Sequence, residues 1–325
     1  MRFVVIALVA SAAFGQTTKV IQLTQNESRQ DLQEIATILR TTADIQQVSI
    51  DDSTRRVTVN GTDAQIALAG WLVQRLDLPA NAPLGGVHEY RPPGYGVDVA
   101  RVFYATHAST PQQLQEIAVV LRTVADIRRL PVYNALHALI VSGTNQQVAL
   151  AAWLVDQLNL PRDVAAPEPH EFEFKDNDVA RVFELRNPQT PEQFQEMLIL
   201  IRSVADIWRL FLYTERRAIA LRGPADRVAL AAWLVSELDK PAGAAPGAVA
   251  PHEYLLPNDP QNVVRVFYLA SSQSAESLRK LATQVHEATG VGRLFVYGRL
   301  SALAVRGTAG QVATAQKMIE EMKAQ

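Results

Sequence analysis

Four copies of one 61-residue unit fill this chain and align with one another without a gap, over 19–79, 101–161, 181–241 and 265–325. Anchor residues set the register. Glycine recurs as Gly61, Gly143, Gly223 and Gly307, and an Asp-Ile pair recurs at 44–45, 126–127 and 206–207. Trp71, Trp153 and Trp233 mark another shared position, filled by Lys317 in the fourth copy. Length changes are confined to the linkers 80–100, 162–180 and 242–264. A unit of constant length between variable linkers is a folded module, so the chain reads as an array, which presents surface rather than one catalytic cleft.

Each unit opens with a short strand, such as Val102-Phe103-Tyr104-Ala105, whose alternation puts neighbouring side chains on opposite faces. A helix follows. Thr110-Pro111 supplies an N-cap and a first-turn proline, and Leu114, Ile117, Ala118, Leu121 and Val124 make one apolar stripe. Thr190-Pro191 with Phe194, Met197, Leu198, Ile201 and Val204 repeats the pattern. Two further strands come next, Leu130–Tyr133 and Leu139–Val141 in the second unit, and the recurrent glycine ends the hairpin, where a positive φ is expected. Thr62, Thr144 and Thr308 then cap a last helix. Arg40-Asp44, Arg122-Asp126 and Arg202-Asp206 are spaced as i, i+4 ion pairs at the end of the first helix. The fold class is α+β: a tandem array of four βαββα modules, each a three-stranded mixed sheet with both helices on one face.

The element order, the Val-Ser-Gly-Thr turn at 141–144 and the closing Leu-Val-x-x-Leu-x-x-Pro at 154–161 resemble the short N-terminal repeat domains of secretins. That resemblance covers all four units. It implies periplasmic modules that stack in rings below an outer-membrane channel and dock partner proteins. The sequence carries no long C-terminal region for a barrel and gate, so the expectation is a chain that is not itself the channel. The same order is similar to KH-type RNA binders, but the basic Gly-x-x-Gly loop with which those clamp a backbone does not recur.

The copies differ where their surroundings differ. On the second sheet face the first unit has Gln22, Ser49 and Asp51. The matching residues are Tyr104, Pro131 and Tyr133, then Glu184, Phe211 and Tyr213, then Tyr268, Phe295 and Tyr297. Those three units are each preceded by a His-Glu-aromatic linker: His88-Glu89-Tyr90, His170-Glu171-Phe172 and His252-Glu253-Tyr254. Two readings follow. Either the linker lies extended against the sheet of the next unit and hides its aromatics, with an added short strand as one form since 170–174 alternates, or the aromatics stay open as a partner or ligand surface. The tryptophans divide likewise between a contact with the following linker or unit and a helix-edge core position. Loss of Trp at Lys317 fits the first, since terminal repeats turn polar where a neighbour is missing.

Chemistry is sparse. The three His-Glu pairs sit in different modules, too few ligands per site for zinc. No paired carboxylates, nucleophile elbow, phosphate loop or cysteine is present. The expectation is no enzyme, no cofactor and no metal. A net charge of −2 with no Lys/Arg run argues against nucleic acid. Arg2, the apolar run Phe3–Ala10 and Ala13-Phe14-Gly15 read as a secretory leader cleaved after Gly15, and no later segment reaches the length of a membrane span. The predicted function is an exported, periplasmic or secreted scaffold that binds protein partners of the envelope, secretin or pilus components among them, with self-assembly open. The alternative is a module gripping glycan or peptidoglycan on the aromatic faces. Trp71, Trp153, Trp233, Tyr104, Tyr133, Phe211, Tyr213, Tyr268, Phe295, Tyr297, His88, His170 and His252 are the candidate interaction residues.

Overall fold

The computed structural model describes residues 7–13, 16–25, 28–79, 82–91, 99–167, 170–174, 176–241, 252–269 and 274–323. Residues 1–6 of the leader and the end of its cleavage site at 14–15 lie outside the described residues, as do 92–98 and 242–251 of the linkers. The chain divides into two compact units, Met1–Pro167 and Glu168–Gln325.

The first unit holds β1 (Ala7–Ala13), β2 (Gln16–Gln22), α1 (Arg29–Thr42), β3 (Gln47–Asp51), β4 (Arg56–Gly61) and α2 (Asp63–Leu76). It continues with β5 (His88–Tyr90), β6 (Val99–Tyr104), α3 (Pro111–Val124), β7 (Val132–Tyr133), β8 (Ala138–Gly143) and α4 (Asn145–Leu158). Its two sheets have the orders β1-β2-β4-β3 and β5-β6-β8-β7. The second unit repeats the plan with β9 (Glu171–Glu173), β10 (Asp178–Glu184), α5 (Pro191–Leu200), β11 (Arg209–Tyr213), β12 (Ala218–Pro224) and α6 (Ala225–Leu238). Then follow β13 (His252–Leu255), β14 (Asn262–Tyr268), α7 (Ala275–Thr289), β15 (Arg293–Tyr297), β16 (Ala302–Thr308) and α8 (Ala309–Lys323). Its sheets run β9-β10-β12-β11 and β13-β14-β16-β15. No helix among the described residues is long and apolar enough to cross a membrane.

The sheets are four-stranded and wholly antiparallel rather than three-stranded and mixed. Two causes combine. The strands on either side of the helix crossover, β6 and β7 for example, flank β8 and never meet, so each pairs only with an antiparallel neighbour. The His-Glu-aromatic linkers then add a strand along the sheet edge, with His88 opposite Val102 and Tyr90 opposite Ala100. The linkers thus form the short strand that the alternation of 170–174 suggests, but they lengthen the sheet and do not cover its aromatic face.

Local chemistry explains the helices. The Thr110 hydroxyl accepts from the Gln113 amide at 3.2 Å, and the whole predicted stripe of α3 is buried. Before α4, Thr144 and Gln147 cap one another, and Thr62 with Gln65 and Thr308 with Gln311 do the same.

These caps, and not φ, crowd the recurrent glycine in three of the four repeats; Gly223 has no capping glutamine beside it. Among the described glycines positive φ falls on Gly86 and Gly290, not on the four hairpin glycines. A Cβ at Gly61 or Gly143 would lie 2.8 or 2.7 Å from the capping Gln65 or Gln147 Oε1. A side chain there would have to displace the capping glutamine. Left-handed backbone occurs instead at Asp44, Asp126, Asp206 and Gly290, with φ of 55°, 54°, 60° and 66°, just after the first helix of each unit. In α5 the approach to that turn widens into a π-helical stretch, Ile201–Ala205. The left-handed turn takes the aspartate off the helical i, i+4 track, so the Arg40-Asp44 and Arg122-Asp126 pairs do not form. Arg40 donates to the β3 carbonyl Val48 O at 2.7 Å, and Arg122 to Leu130 O, just before β7, at 2.6 Å.

Candidate functional site

The first sheet has one apolar and one polar face. Ile21, Leu23, Val57 and Val59 are buried with the stripes of α1 and α2, whereas Ser49 and Asp51 are exposed. The second sheet of the first unit is apolar on both faces. Val102, Tyr104, Tyr133, Ala138 and Ile140, on its second face, join the buried cluster that contains Ile35 and Ile38 of α1 and Leu72 and Leu76 of α2. The second unit does the same: Val264, Val266, Tyr297, Ala302 and Ala304 are buried with Met197 and Ile201 and with Leu234 and Leu238. The aromatic sheet face of the later repeat is thus covered by the two helices of the earlier one. The linker strand closes only its edge.

Four contacts recur at equivalent positions in both junctions. The Tyr104 hydroxyl donates to Arg75 O at 2.7 Å, and Tyr268 donates to Glu237 O at 2.8 Å. Burial pushes the Tyr104 phenol up to about 12 against the opposing pull of Arg75, and burial followed by the Glu237 charge raises Tyr268. Trp71 lies 5.6 Å from Tyr90 between ring centroids, and Trp233 lies 5.5 Å from Tyr254. Glu34 accepts from the Asn134 amide at 3.0 Å in the β7–β8 turn, and Glu196 accepts from the amides of Gly298 and Arg299 in the β15–β16 turn. Arg129 approaches Asp44 at 3.9 Å, and Arg293 pairs with Asp206 at 2.9 Å. The linker histidines complete the clusters, with His88 edge-on to Tyr104 at 5.3 Å and His252 edge-on to Tyr268 at 5.1 Å. His252 Nδ1 also sits 2.8 Å from Glu237 Oε2.

The structure therefore gathers Trp71, His88, Tyr104 and Tyr133 at one junction and Trp233, His252, Tyr268, Phe295 and Tyr297 at the other. Trp153 is half-buried on α4, His170 precedes β9, and half-buried Phe211 and buried Tyr213 lie on β11. Glu184, in the place of the junction tyrosine, pairs with the buried Arg216. Among the described residues no three His, Asp or Glu side chains converge on a metal position.

Sequence reasoning missed the acidic anchors. Their signal was present: Glu34, Glu116 and Glu196 occupy one aligned position that becomes Lys280 in the fourth unit, in step with the change from Trp to Lys317. Lys280 and Lys317 are both exposed.

No protein-family model and no curated protein matches this chain. Among solved structures, the N-terminal domain of the secretin XcpQ from Pseudomonas aeruginosa is similar at 15% identity, over 48% of this chain and 70% of that one, with a TM-score of 0.19. Aeromonas hydrophila ExeD is similar at 12% identity, over 91% of this chain and 60% of that one, with a TM-score of 0.16. The type II secretion system secretin GspD of E. coli K12 is similar at 10% identity, over 90% of this chain and 59% of that one, with a TM-score of 0.17. A second structure of the XcpQ N-terminal domain, that of a serine-to-cysteine mutant, is similar at 16% identity, over 48% of this chain and 71% of that one, with a TM-score of 0.19.

Proposed function

We propose that this chain is an exported, non-catalytic scaffold of the cell envelope, which binds protein partners in a secretin-like secretion or pilus assembly. The observation that carries the reading is the sheet-on-helix junction, made by the same four contacts in both units. Catalytic sites need groups converging on a reacting centre, whereas these polar and aromatic groups are used to hold one module on the next. Such joints suit a chain whose task is to space surfaces. Export is supported by the leader-like start, and the partner class by the resemblance of each unit to secretin repeat domains. The scaffold reading is favoured over the glycan alternative, because Tyr104, Tyr133, Tyr213 and Tyr297 are buried, while Phe211, Tyr268 and Phe295 are half-buried.

Crosslinking in intact cells, followed by fractionation and mass spectrometry, tests the proposal. Recovery from the periplasm with secretion or pilus components crosslinked to it is the expected result. Retention in the cytoplasm, or sedimentation with purified sacculi without any protein crosslink, would overturn it.

A further inference from the structure

In all four sheets the same place, outside the opening strand of the unit, is filled by an extra strand. In three it is a linker strand held by side chains: Tyr90 against Trp71, Arg181 to Glu171 at 2.6 Å, and Arg265 to Glu253. In the first sheet it is β1, whose Ala7 lies opposite Val20 and whose Val9 lies opposite Thr18. β1 belongs to the stretch that reads as a leader. Cleavage after Gly15 would remove it, and the first sheet alone would then lack its outer strand.

The edge that remains is specific. Leu23 donates its amide to Arg55 O, toward the β4 side, so strand alternation turns the amides and carbonyls of Thr18 and Val20 outward. An unpaired row of this kind is a template for another strand. A second copy of the chain fits poorly. The antiparallel register that overlaps two β2 edges most fully sets Thr18 opposite Val20 of the other copy, and so Lys19 opposite Lys19. Like charges directly opposite destabilise a pair. The strand that occupies the edge, Ala-Leu-Val-Ala-Ser-Ala-Ala, is uncharged and rich in small residues.

We propose that the outer edge of β2 in the processed chain is a strand-accepting site, which takes an extended, uncharged, small-residue segment of a protein partner in the antiparallel register of Ala7–Ala13. The site rests on the export reading, since an uncleaved chain keeps the edge filled.

Two measurements separate the ideas. Mass spectrometry of the N-terminus of the exported protein reads processing alone: a start at Gln16 is expected, and a start at Met1 overturns the export reading and the site with it. The processed protein is then titrated with a labelled peptide of residues 7–13 carrying solubilising flanks. Saturable binding is expected, with the Thr18 and Val20 amides slowed in hydrogen exchange. Val20→Pro removes an outward amide without breaking a bond to β4 and should weaken binding roughly tenfold, the equivalent of one main-chain bond, while the thermal midpoint holds. A processed protein that ignores the peptide, binding unchanged by Val20→Pro, or dimers crosslinked through Lys19 would each overturn the proposal.

Discussion

Glu34 on α1 holds Asn134, 100 residues further along the chain, dividing its carboxylate between the backbone amide at 3.0 Å and the side-chain amide at 2.9 Å. The pair fastens the β7–β8 turn to the helix of the preceding repeat. Glu34→Ala would strand a part-buried N–H, an expected cost of about 1–3 kcal/mol. Urea denaturation of the full chain should show the loss, with the Asn134 amide exchanging faster. An unchanged midpoint and unchanged exchange would deny the contact any role in joining the repeats.

Trp233 and Lys317 occupy one aligned position with different duties. Trp233→Ala removes the ring contact with Tyr254 and should destabilise by about 1–3 kcal/mol. Lys317→Ala removes an exposed side chain and should stay within about 0.5 kcal/mol of the parent. Equal effects in thermal unfolding would contradict the difference in packing.

The hairpin glycines should separate in the same way. In Gly143→Ala the new Cβ displaces Gln147 Oε1, 2.7 Å away, and breaks the capping box, for a loss of about 1 kcal/mol. The third repeat has Pro224 and Arg227 in place of the cap, and a Cβ on Gly223 meets nothing closer than Ile207 at 3.5 Å. Gly223→Ala should therefore be neutral or gain up to about 1 kcal/mol through a less flexible unfolded chain. Calorimetry on the two variants decides.

Acidification should act on the second junction through two carboxylates of opposite sign. Burial alone would raise Asp206, but the Arg293 hydrogen bond and the Arg293 and Arg227 charges outweigh it and hold the carboxyl below its usual value of 3.8. That contribution to stability is complete above 3.8 and is lost as pH falls through the lower folded value. Burial raises Glu196 above 4.5 despite the amides of Gly298 and Arg299, so its contribution is complete below 4.5 and is lost as pH rises through the folded value. In denaturation series carried from neutral pH to well below 3.8, Asp206→Asn should flatten the loss on the acid side, and Glu196→Gln the loss on the upper side. Matching pH profiles in both variants and the parent would refute the assignment.

How far these features could be read from sequence follows from their range. The stripe Leu114, Ile117, Ala118, Leu121, Val124 declared its helix because each member needs only near neighbours to define a face. The hairpin glycine was seen but misjudged, since the crowding comes from a glutamine four residues on, whose folded-back rotamer no pattern shows. The cover of the aromatic face was assigned to the adjacent linker, when it comes from helices of the previous repeat. Tyr104 is the clearest case. Its partner is the backbone carbonyl of Arg75, and its counterpart Tyr268 uses that of Glu237, two residues that share no side-chain chemistry. Glu34 and Glu196, by contrast, were open to discovery by aligning the four copies.

Lys280 and Lys317 set a limit on how such a gene can grow. A further module seated on α7 and α8 would bring its turn amides to an ammonium group in place of a carboxylate, donor against donor, and its aromatic strand to a flexible cation. Copying the last repeat would therefore append a domain that hangs loose. Copying an inner repeat carries the glutamate and the tryptophan along with it, and lengthens the protein with its joints intact.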